Sequence, residues 1–147
     1  MVLNCIFITF RLLFFSTYNP TRVYKASLDG TTVTQIVSGL GDVCGLDIDI
    51  CANIICWADH AGKRIECSNY MGDERRELTR TTGKPWGVAI QDGVAYYTTG
   101  TPNRVSSLPL TGGNVTILDI GTFNTSSFYG IAILHRGHHC IPTGIWE

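Results

Sequence analysis

The side chains best equipped for chemistry lie near the C-terminus: His135, His138, His139 and Cys140. Imidazole and thiolate suit borderline metals, but a zinc site needs ligands at a fixed spacing, and no matching pair stands elsewhere in the chain. The cluster also follows the last recognisable strand, so residues 135–147 are read as a solvated tail and no metal is expected. The six cysteines (Cys5, Cys44, Cys51, Cys56, Cys67, Cys140) contain no C-x-x-C pair, hence neither zinc-ribbon nor thioredoxin spacing. No G-x-S-x-G elbow offers a nucleophile. Neither catalytic residues nor a cofactor are expected.

Two triplets have the form of glycosylation acceptors, Asn114-Val115-Thr116 and Asn124-Thr125-Ser126, and both point to the secretory route. Such triplets also arise by chance. The formal net charge is -1 and the cations are scattered, so no basic stripe exists to hold a phosphate backbone. Nucleic acid is not an expected partner. Met1 through Phe15 is strongly apolar, but it is short for a membrane span and carries Arg11 inside the run, where a signal peptide would place its basic residues first.

The elements that must position any functional group emerge from an internal repeat. Arg22 through Gly30 aligns without gaps on Arg64 through Gly72, and again on Arg104 through Gly112. The period of about 40 residues is that of propeller blades and similar arrays. At one fixed distance ahead of each arginine stands an aromatic residue: Phe15, Trp57 and Tyr97. A third set recurs at the same period, with Gly45-Leu46-Asp47, Gly87-Val88-Ala89 and Gly130-Ile131-Ala132 leading apolar runs. The extra length of the last unit falls in the Thr122–Ser127 stretch that carries the Asn124 triplet, as befits a surface loop. Alternation and turn residues such as Asp29-Gly30 predict four short strands per unit and no helix. The fold class is therefore all-β, a partial β-propeller of four-stranded blades.

The aromatic tetrapeptides Phe14-Phe15-Ser16-Thr17, Cys56-Trp57-Ala58-Asp59 and Tyr96-Tyr97-Thr98-Thr99, each followed by an arginine-led strand, resemble the YWTD motif. This motif marks class B repeats of low-density-lipoprotein receptors and of nidogen. The resemblance covers Phe14 to Leu134. Trp57 and Asp59 match the motif's tryptophan and aspartate, and Leu28-Asp29-Gly30 its turn. Cys56 departs from the first aromatic, and Thr17 and Thr99 depart from the aspartate. In the family that aspartate ties neighbouring blades, so weaker joints are expected in the outer units.

The resemblance implies a six-bladed propeller, of which this chain would supply about three. Two full blades are expected within Gly45–Leu118, with final strands at Arg75–Thr79 and Val115–Leu118. A partial blade precedes them from Phe14, and another opens at Gly130. Residues 1–13 are expected to supply an inner strand of the first blade, residues 14–134 the propeller segment. An open array exposes faces and edges that invite pairing with other chains, so the expected partners are neighbouring propeller or EGF-like modules in a longer parent chain, or a second copy if the chain is complete.

In a propeller the loops entering the first strand of each blade and those joining strands two and three emerge on one face. That face is expected to carry His60, Lys63, Lys84, Trp86, Asn103, Phe128 and Tyr129. A tryptophan beside a basic side chain suits a protein-binding hot spot, and an extracellular protein ligand follows from the resemblance. Packing of Trp86 and Tyr129 into the central channel is the competing reading. Histidine as a residue type can change charge between surface and endosomal pH, so His60 is the candidate for a pH switch if ligand is released in acid, as the resemblance to the lipoprotein receptors implies. Pairing Asp59 with Arg64 in the hairpin would also set Cys56 opposite Cys67, close enough for a cross-strand disulfide. Some six-bladed propellers are metal-dependent hydrolases, but Cys44, Trp86 and Tyr129 at the strand entries are poor ligands for a hard cation.

Overall fold

The computed structural model describes residues 2–8, 11–120 and 129–132. Among them, twelve strands form three four-stranded antiparallel sheets, each a meander of consecutive strands. The first sheet holds β1 (Val2–Ile8), β2 (Leu12–Tyr18), β3 (Arg22–Ser27) and β4 (Val33–Val37). The second holds β5 (Val43–Asp49), β6 (Ile54–Asp59), β7 (Arg64–Asn69) and β8 (Arg76–Arg80). The third holds β9 (Lys84–Gln91), β10 (Val94–Gly100), β11 (Arg104–Pro109) and β12 (Thr116–Leu118).

The sheets stack as blades because successive side chains of a strand point to opposite faces. In β6, Ile55 and Trp57 join one apolar layer, with Phe14, Val23, Val37, Val43, Leu46 and Ile48. The alternate residues Cys56 and Ala58 join the other, with Ile65, Cys67, Val88, Ile90, Ala95, Tyr97, Leu108 and Leu110. The middle blade therefore buries both faces, which explains why every residue from Ile55 to Asp59 is buried. Trp57 is completely enclosed, and its indole N–H donates to Glu66 Oε2 at 3.3 Å. Arg75 reaches over the Trp57 ring at 5.8 Å and donates to the same carboxylate at 2.9 Å and to the Ser38 carbonyl at 2.7 Å. It thus clamps the connection between the first two blades.

The recurring glycine has a steric cause. A Cβ on Gly45 would stand 2.8 Å from Gly87 Cα and 2.9 Å from the Trp86 carbonyl oxygen, and a Cβ on Gly87 would stand 2.9 Å from the Ile131 amide nitrogen. The backbones of successive first strands converge there, and only glycine leaves room. Gly130 and Ile131 occupy against Gly87 the place that Gly87 and Val88 occupy against Gly45.

β1 is the first strand of the first blade and lies within residues 1–13, where an inner strand is expected. The observed strands differ from expectation in two places. The last strands of the second and third blades begin one residue late, at Arg76 and Thr116. Tyr129 to Ala132 form no strand, although one is expected to open at Gly130; Ile133 and Leu134 lie outside the described residues, as does the 135–147 tail with its His135, His138, His139 and Cys140.

Candidate ligand-binding face

Strand pairing between β9 and β10 slips by one residue: Gly87 faces Thr98, but Pro85 faces Thr99. Trp86 is the extra residue of this bulge, and a bulge re-aims the side chain it carries. The same slip occurs in β5, where Val43 faces Asp59 and Gly45 faces Ala58, leaving Cys44 as the extra residue. Each of these two bulges sits one position before the repeat glycine.

There Trp86 meets His60, which comes from the β6–β7 turn of the preceding blade, with ring centroids 4.1 Å apart. The His60 ring is held by its Nδ1, 3.1 Å from the Pro85 carbonyl oxygen. Tyr129 stands edge-on to the indole at 5.1 Å and is 66% exposed. His60, Trp86 and Tyr129 thus form an aromatic row that crosses successive repeat units. Gly100 supports it from below, since a Cβ there would stand 3.0 Å from Trp86 Nε1.

Beside the row lies a recess of about 410 Å³ lined by His60, Lys63, Thr82, Gly83, Lys84, Trp86, Gly100 and Thr101. Among the described residues no carboxylate lines it. Lys63 and Lys84 are exposed at its rim, and neither forms an ion pair among the described residues. Apolar rings flanked by two cations favour flat apolar groups and carboxylates of a ligand. Asn103 stands behind the recess, its Oδ1 accepting from the Thr101 amide at 3.4 Å. Phe128 and Asn124 lie outside the described residues, and Asn114 is exposed on the loop before β12. Thr101 belongs to the loop 101–104 that the sequence already assigns to this face, whereas Thr82, Gly83 and Gly100 are absent from the sequence-based set; the spacing of Gly83 and Gly100 from Trp86 offered no signal for them.

The motif residues lie beneath this face. Phe15, Trp57 and Tyr97 are buried in β2, β6 and β10, and Arg22, Arg64 and Arg104 each open the third strand of a blade. Asp59 Oδ1 accepts from the amides of Gly62 at 2.8 Å and Asp42 at 3.3 Å, while Oδ2 accepts from Arg64 Nη2 at 3.0 Å. Burial alone would raise the Asp59 pKa; these amides and the guanidinium outweigh it and hold the carboxyl below its usual range. By bonding Asp42, Asp59 anchors the connection arriving from the first blade. In the outer blades Thr17 and Thr99 instead donate to the carbonyls of Pro20 at 2.8 Å and Pro102 at 3.0 Å. Pro20 and Pro102 take the place of Gly62 in the repeat, and proline has no N–H to offer a carboxylate. A hydroxyl donor is the side chain that fits.

Cys56 and Cys67 face each other across β6 and β7 in the register that pairs Asp59 with Arg64. They are joined as a disulfide, with Cα atoms 4.1 Å apart, and both are buried.

No protein-family model matches the chain. Low-density lipoprotein receptor-related protein 5 from Homo sapiens is 26% identical over 129 residues, an alignment covering 81% of this chain and 8% of that protein. Nidogen from Drosophila melanogaster is 23% identical over 122 residues, covering 81% of this chain and 9% of nidogen. A crystal structure of a nidogen/laminin complex superposes with a TM-score of 0.72 at 24% identity, over 78% of this chain and 47% of that one. The chain is a partial β-propeller whose repeats fit the YWTD type. This YWTD segment spans less than a tenth of the curated relatives it matches. Its three blades correspond to about half of a solved propeller, and the likeness extends to a streptogramin B lyase, with a TM-score of 0.72 at 13% identity over 88% of this chain and 44% of that one. At that identity the shared feature is the fold.

Proposed function

We propose that the YWTD segment is an extracellular protein-recognition module of a cell-surface receptor or a matrix protein, and that the face bearing His60, Trp86 and Tyr129 receives the ligand. The observation that carries this reading is the aromatic row, open to solvent at Tyr129 and rimmed by Lys63 and Lys84. An indole fixed on two sides loses little side-chain freedom on binding, which is what an interface anchor requires. The exposure of Tyr129 favours recognition over channel packing for that ring. The relatives named above support both a receptor and a matrix setting, and in either the segment would be one part of a longer chain. The buried Cys56–Cys67 bond fits an oxidising compartment.

Laminin, the partner in the nidogen structure, is the first ligand to try, within a wider panel of secreted proteins measured against the immobilised chain. A ligand bound through this face should lose at least about tenfold in affinity, on the order of 1.4 kcal/mol, on Trp86→Ala. Lys63→Glu and Lys84→Glu should mainly slow association and weaken its salt dependence. Ligands that bind all three variants like wild type would place recognition elsewhere on the propeller.

A further inference from the structure

The outer strand of each blade ends its sheet and leaves one row of backbone groups unpaired, a hazard that proteins blunt with charge, covering or shortness. β8 uses charge: Arg76, Glu77 and Arg80 are exposed, and Arg80 pairs with Glu77 at 3.0 Å. β4 exposes Val33 beside the polar Thr34 and Gln35. β12 is different. Like β4 and β8 it pairs with a single strand among the described ones, but within 114–120 the sequence Asn-Val-Thr-Ile-Leu-Asp-Ile has one charged residue, Asp119. Val115, Ile117 and Ile120 are 40%, 55% and 40% exposed there.

Asn114 opens this segment. It is exposed, as is Thr116, and it follows Gly112 and Gly113, whose φ angles are 90° and 126°. Nothing stands within 4 Å of a Cβ added at either glycine, so the loop leading to the exposed asparagine is uncrowded. We propose that Asn114 is N-glycosylated and that its glycan covers the apolar outer edge of β12. The co-reactant is an oligosaccharide linked to a lipid pyrophosphate. The Asn114 amide nitrogen bonds to the anomeric carbon, the bond from that carbon to the pyrophosphate oxygen breaks, and the departing amide proton balances the lipid pyrophosphate released. Thr116 completes the acceptor triplet. A bulky hydrated group at Asn114, next to Val115 and close to Ile117, does for β12 what charge does for β8.

The inference rests on the extracellular reading, and the experiment separates the two. The full chain is secreted from animal cells behind a cleavable leader, and the peptide containing Asn114 is analysed by mass before and after an N-glycosidase that converts the modified asparagine to aspartate. The expected result is a glycan on Asn114 that Thr116→Ala abolishes; an unmodified Asn114 in the secreted protein overturns the site, whereas finding the native protein in the cytosol overturns the extracellular reading alone. Enzymatic removal of the glycan should then shift the chain from monomer towards larger species in light scattering, and Ile117→Lys should restore the monomer. Deglycosylated protein that stays as monomeric as the glycosylated form overturns the shielding role.

Discussion

Asp47 on β5 accepts a hydrogen bond of 2.7 Å at Oδ2 from the backbone amide of Ile90 on β9, 43 residues further along the chain. Its other carboxylate oxygen accepts from the Ile48 amide at 2.9 Å. One buried side chain thus joins the first strands of the second and third blades at the point where their backbones converge. Asp47→Ala would leave the Ile90 amide buried without a partner, at a cost of about 2 kcal/mol. Asp47→Asn keeps an acceptor oxygen and should cost less. Urea unfolding gives the difference, and faster hydrogen exchange at Ile90 in the alanine variant would locate it.

Asp59 predicts a dependence on acid. Its carboxyl titrates below its ordinary value in the folded chain, so the stability it contributes is fully present above the unfolded value of about 3.9. That contribution is lost as pH falls through the lower folded value. Asp59→Asn should cost about 2 kcal/mol at neutral pH, and the gap to wild type should close below about pH 4. A gap that persists unchanged in acid would show that the charge is not what the amides of Gly62 and Asp42 hold.

The exchange of Asp59-x-x-Gly62 for Thr99-x-x-Pro102 predicts coupling between two positions. Thr99→Asp alone sets a carboxylate against the Pro102 carbonyl with no N–H to meet it, a loss of about 2 kcal/mol. Adding Pro102→Gly supplies the amide. The double variant should recover about 1 to 3 kcal/mol relative to the sum of the single changes. Additive losses in denaturant titrations would refute the explanation.

Gly30 and Gly72 occupy one position of the repeat with similar φ angles of 72° and 86°, yet their surroundings differ. A Cβ on Gly30 meets nothing, whereas one on Gly72 runs into the carbonyl of Ile36 on the preceding blade. Gly30→Ala should cost only the backbone penalty of about 1 kcal/mol, and Gly72→Ala about 1 to 3 kcal/mol more from overpacking. Equal shifts in the thermal midpoint would mean that the blades can part at this contact.

The sequence by itself determined the blade. Period-two alternation settles strand faces, the recurring arginine and aromatic positions set the hairpin register, and the register that opposes Asp59 to Arg64 necessarily opposes Cys56 to Cys67. These are local facts, carried by neighbours in one hairpin. That His60, Trp86 and Tyr129 share one side of the array was also legible, because up-and-down topology sends alternate turns to one side.

What only the tertiary structure decided lies between blades. That Trp86 is the bulged residue, that His60 stacks on it from the preceding blade, and that Asp47 bonds Ile90 all depend on how closely two sheets approach. The meaning of the repeat glycine belongs here too: Gly45 recurs as Gly87 in the sequence, but its cause is a neighbouring backbone 2.8 Å from where a Cβ would stand. Spacing along a chain encodes which residues share a strand face; it does not encode the distance between two faces, which packing alone sets.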